Sequence, residues 1–72
     1  MELMHVDVLP YGPGESRSIN ASVGARRIGF LSDVNGNVYA GEGEFLPAVT
    51  VLREFLGRDW PHGLRPGFWM FE

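Results

Sequence analysis

Apolar and polar positions alternate along the first part of the chain and change to a helical spacing near its middle. From Glu2 to Leu9, Met4, Val6 and Val8 fall on one side with His5 and Asp7 between them. This is the period of a half-buried strand. Pro10-Tyr11-Gly12-Pro13-Gly14 ends it, because the prolines remove amide donors and the glycines accept positive φ. That loop is expected to fold Tyr11 back onto the sheet. Between Ser16 and Val23 the alternation returns, with Ser16, Ser18, Asn20 and Ser22 on one face and Arg17, Ile19, Ala21 and Val23 on the other. A second strand with a solvated polar face follows, a helix covering Ile19 and Val23 being the alternative. Gly24-Ala25 turns the chain, and Arg26-Arg27 leads into a strand from Ile28 to Ser32.

The turn after that strand decides which side chains share a face. If Asn35-Gly36 is a two-residue type I′ loop, Val34 faces Asn37, and Ile28 and Phe30 share a face with Tyr39. If Asp33-Val34-Asn35-Gly36 is a type I turn closed by Gly36 in the left-handed region, Asp33 faces Asn37, and Ile28 and Phe30 join Val38 and Ala40. The second register is preferred. Asp suits the first position of a type I turn, and this register gathers one continuous apolar face.

Gly41-Glu42-Gly43-Glu44 connects to a helix opening at Leu46 or Pro47, where a missing amide has no partner to lose. Phe45, Ala48, Val49, Leu52, Phe55 and Leu56 then recur at helical spacing, with Val51 widening the face and Thr50, Arg53 and Glu54 opposite. Glu42 and Glu44 suit the positive helix start, Arg53 and Arg58 its negative end, and Glu54 with Arg58 is a favourably ordered i,i+4 pair. Gly57 is a natural stop. Asp59 to Gly67 is too rich in Pro and Gly to be regular, and the chain closes on Phe68-Trp69-Met70-Phe71-Glu72. Those aromatics require burial, either along the sheet as a fifth strand or against another molecule. As a strand, the segment would point Phe68 and Met70 one way and Trp69 and Phe71 the other.

Composition narrows the picture. A chain of 72 residues is expected to form a single domain over 1–72, with a thin stability margin. No Cys is present, so disulfides and thiolate zinc sites are excluded. Nine acidic residues against six basic ones give a net charge of −3, which argues against a nonspecific nucleic-acid binder. All the basic residues are Arg, a bias that a GC-rich coding sequence explains. Glu2 follows Met1 in place of a basic leader, and no apolar run reaches the roughly 18 residues of a membrane span, so a cytoplasmic location is expected. Asn20-Ala21-Ser22 matches a glycosylation sequon only by chance in that setting.

Motifs for chemistry are weak. His5 and Asp7, with His62 as a distant third, offer a metal no more than any chain with a pair of histidines does. The serines at 16, 18, 22 and 32 lie outside any Gly-x-Ser-x-Gly elbow, and Pro13 with no following Lys-Ser or Lys-Thr disqualifies Gly12 to Ser16 as a phosphate loop. No enzyme, metal or cofactor is expected. Two surfaces remain. Trp60, Arg65, Phe68, Trp69 and Phe71 are of the residue types that dominate protein interfaces. Arg17, Arg26 and Arg27 are expected to cluster at the end of the second and third strands, as a nucleic-acid alternative or as an edge-blocking group.

The expected fold is α+β, a four- to five-stranded antiparallel meander with one amphipathic helix on one face. The expected function is a noncatalytic protein-binding or oligomerising module, with a protein partner, possible homodimerisation and no membrane. Such compact acidic chains also suit regulators or inhibitors encoded by phages and mobile elements, where Glu42 and Glu44 would occupy a basic groove. That reading rests on size and charge alone.

Overall fold

A computed structural model describes residues 2–39 and 45–71. Among these residues the chain folds as α+β, with one helix and one antiparallel sheet curled into a half-barrel. Its strands are β1 (Glu2–Pro10), β2 (Arg17–Val23), β3 (Arg26–Ser32), β4 (Asn37–Tyr39), β5 (Phe45–Pro47) and β6 (Gly67–Phe71), with helix α1 (Ala48–Leu56) between β5 and β6. The order across the sheet is β5-β4-β3-β2-β1-β6. Six strands replace the four or five expected, and the meander is broken by the last of them. After α1 the chain returns to the far side of β1 and pairs Met4 with Trp69 and His5 with Phe68. The first strand is therefore internal.

Alternation places the core as the sequence pattern implies. Met4, Val6, Ile19, Ala21 and Val23 are buried on one face together with Leu52 and Trp60, and Val8, Ile28, Phe30, Trp69 and Phe71 pack around them. Opposite lie His5, Asp7, Ser18, Asn20 and Ser22, so β2 is a strand with a polar face and the helical alternative is removed. Tyr11 does not fold onto the sheet; it is exposed at the loop. The loop is closed at its base by the Tyr11 amide donating to the Ser16 carbonyl at 3.1 Å, which leaves the ring outside.

The hairpin takes the register set by Asp33. Ser32 pairs with Val38, both buried, while the Asp33 amide donates to the Asn37 carbonyl at 2.9 Å. One Asp33 carboxylate oxygen accepts from the amides of Asn35 at 2.9 Å and Asn37 at 2.8 Å, and Gly36 takes φ 81°. A side chain at Gly36 would be strained there. The expected place of Ala40 on this face, the connection through Gly41 and Gly43, and the roles given to Glu42 and Glu44 lie outside the described residues.

The helix begins at Ala48, with Pro47 just before it. Phe45 to Pro47 pair with β4 as a short strand, a correction to reading them as connection and helix start. Pro47 has no polar side chain with which to cap the helix. The turn supplies the acceptor instead: the Ala48 amide donates to the Gly36 carbonyl at 2.7 Å. Phe45 and Val49 do not belong to the buried face, being 60% and 40% exposed: Phe45 lies in β5, and the short helix turns chiefly Ala48 and Leu52 inward. Gly57 ends the helix in the left-handed region, and its amide and that of Arg58 both donate to the Arg53 carbonyl. Arg58 does not pair with Glu54; its guanidinium lies over the Phe71 ring at 5.5 Å. Arg53 faces Asp59 at 3.7 Å.

Candidate functional site

Of the residues singled out as an interface, Phe68, Trp69 and Phe71 share β6, whose alternation divides them, and Trp60 and Arg65 lie in the loop before it. Trp60 is a correction: at 4% exposure it belongs to the core, held by its indole N–H donating to the Gly63 carbonyl at 2.9 Å. Its ring meets Phe71 edge-on at 5.5 Å and Trp69 at 6.3 Å. The Pro- and Gly-rich loop after the helix folds back to bring this about, a non-local closure that no local pattern signals. Trp69 and Phe71 are half-buried on the same side. His62 stacks on Trp69 at 4.9 Å, Arg65 lies over the same ring at 4.9 Å, and the Trp69 indole N–H donates to the Arg65 carbonyl at 2.9 Å. Arg65 stays at the surface.

Phe68 points to the opposite, helix-free face and is 69% exposed. Met70 is beside it at 55% and Leu3, directly opposite Met70, at 48%. The strand alternation in the sequence pairs Met70 with Phe68 without counting it among the interface residues, and Leu3 is not singled out there, although its alternation with Met4 carries that information. Together they make an apolar patch at the β6 edge of the sheet. A groove of about 560 Å³ runs beside Met70 and Phe71, walled by Arg58 to His62. At the other end of the same face Leu9, Leu31, Tyr39 and Phe45 are exposed, the last two rings meeting edge-on at 5.5 Å.

Between these ends lies a polar band. His5 Nε2 stands 3.3 Å from Asp7 Oδ1, and the His5 ring stacks on Phe68 at 4.3 Å. Asn20, Ser22, Arg27 and Gly29 complete a cleft of about 460 Å³. Ser22 is the cross-strand neighbour of both His5 and Arg27. Acid, base and hydroxyl are thus near one another, yet on an open sheet where water screens the charges that a reaction site must keep dry. Among the described residues no group of His, Asp or Glu is arranged to hold a metal ion.

The arginines are not brought together. Arg17 pairs with Ser32 at one end of β2, whereas Val23 pairs with Arg26 at the other. Six residue steps along β2 separate the two positions, about 20 Å at the usual rise. Arg26 turns to the helix side and covers Phe55 at 5.3 Å, and Arg27 faces the polar cleft. The expected cluster fails because β2 is extended and holds Arg17 a strand's length from the adjacent Arg26 and Arg27. No helix among the described residues is long and apolar enough to cross a membrane. Comparison with protein-family models, with curated proteins and with solved structures finds no match to this chain.

Proposed function

We propose that this protein is a noncatalytic protein-binding module whose contact surface is the β6 edge and the apolar patch of Leu3, Phe68 and Met70. The observation that carries the reading is the exposure of Phe68 and Met70 on a strand whose other side completes the core. A strand needed only for folding has no use for large apolar groups on its solvent face, and contiguous groups of this kind mark interaction sites. Aromatic and Met side chains are enriched at the centres of such interfaces. The arginine surface supports a nucleic-acid partner less well, since Arg26 is engaged with Phe55 and Arg17 is remote.

The test is capture from the native host with two baits, the wild-type chain and a Phe68→Asp/Met70→Asp variant. A protein chain held by the first and released by the second is the expected result. Equal retention by both baits would place the contact elsewhere and overturn the reading.

A further inference from the structure

Among the described residues no strand pairs with the outer edge of β6. Folded proteins protect edge strands with charges, prolines, bulges or shortness. The opposite edge follows that rule, as β5 has three residues and ends in Pro47. By contrast β6 has five residues, Gly-Phe-Trp-Met-Phe, with neither a charge nor a proline. Its backbone pairs with β1 on one side only.

The sequence of β6 is complementary to itself in the antiparallel sense. With a two-fold axis at Trp69, Phe68 falls opposite Met70 of the partner subunit and Phe71 opposite Gly67 of the partner subunit. On the helix-free face the row Leu3, Met70 then continues into Phe68 of the partner subunit, and the symmetric row does the same, so all six exposed apolar side chains join in one strip. On the core face each Phe71 meets a residue without a side chain, beside the groove walled by Arg58 to His62. The strand itself holds no charged residue, while Arg65 and Arg58 lie over the Trp69 and Phe71 rings on its core face.

We infer that the chain forms a two-fold homodimer by antiparallel pairing of β6 with β6 of a second copy, centred on Trp69, which makes one continuous sheet. This rests on the protein-binding reading and names the partner for the same surface. A five-residue edge with three apolar side chains per subunit lies at the small end of specific interfaces, below about 1,200 Å². The dimer is accordingly concentration-dependent.

Sedimentation of the full chain from about 10 to 500 µM should show a monomer–dimer equilibrium, the range suiting an interface of that size. Phe68→Asp/Met70→Asp should stay monomeric throughout with an unchanged circular dichroism spectrum. Register is read with single cysteines, since the native chain has none. On oxidation, a mixture of Phe68→Cys and Met70→Cys chains should form a disulfide-linked heterodimer, while Phe68→Cys alone should not cross-link, its two sulfurs lying on non-opposed positions. A strict monomer at the highest concentration would overturn self-pairing. If that monomer still captures a different protein through Phe68 and Met70, the protein-binding reading stands; a dimer that persists in the Asp variant overturns both.

Discussion

His5 and Phe68 stand directly opposite each other on β1 and β6, and their rings stack with centroids 4.3 Å apart on the face that the helix does not cover. One residue further on, Trp69 stands opposite Met4 on the buried side. The same strand thus both completes the core and offers a surface, and neighbouring substitutions should behave in opposite ways.

Phe68→Ala should lower the unfolding free energy by less than about 1 kcal/mol, because it removes little beyond the stack on His5. Trp60→Ala should cost about 3–5 kcal/mol, the usual range for emptying a buried aromatic site. Urea unfolding of the two variants checks this, and similar losses would contradict the opposed placement of the rings.

Removal of residues 68–72 should abolish cooperative folding. It strips β1 of a partner and takes Trp69 and Phe71 from the core in a chain whose whole margin is on the order of 5 kcal/mol, the low end for domains. Near-ultraviolet circular dichroism would report the loss; a truncated chain with a sharp melting transition would show β6 to be dispensable.

At the hairpin, Asp33→Ala should cost about 1–2 kcal/mol, since the amides of Asn35 and Asn37 lose their acceptor. Gly36→Ala should cost about 1 kcal/mol or more, its φ of 81° being unfavourable for any side chain. Gly29→Ala should change stability by less than about 0.5 kcal/mol, the usual range at an unstrained surface site. A Cβ there would come within 2.9 Å of Asn20 Oδ1, but that amide is exposed and swings away. Thermal melts of the three variants should fall in that order of effect, Gly29→Ala nearest wild type.

Oligonucleotide binding, followed by fluorescence anisotropy at low salt, is expected to be absent, because the arginines are split between the two ends of β2 and the two faces of the sheet. Salt-sensitive binding lost in Arg26→Glu/Arg27→Glu would restore the nucleic-acid alternative.

Period and turn chemistry determined much of this protein on their own. The alternation of Met4, Val6 and Val8 and of Ile19, Ala21 and Val23 sets which faces are buried, and Asp33 with Gly36 sets the hairpin register, since a carboxylate reaching forward along the turn and a left-handed glycine are local devices. Only the tertiary structure decided where the ends meet. The pairing of β1 with β6, the burial of Trp60 in the core that holds Met4 and Val6 and the bond from Ala48 to Gly36 all join residues distant in sequence. Such contacts depend on how the whole chain closes, which no local spacing encodes. The strand period divides Phe68 and Met70 from Trp69 and Phe71 in the sequence itself, but only the packing of β6 against β1 decided that Trp69 and Phe71 meet the core and Phe68 and Met70 stay exposed.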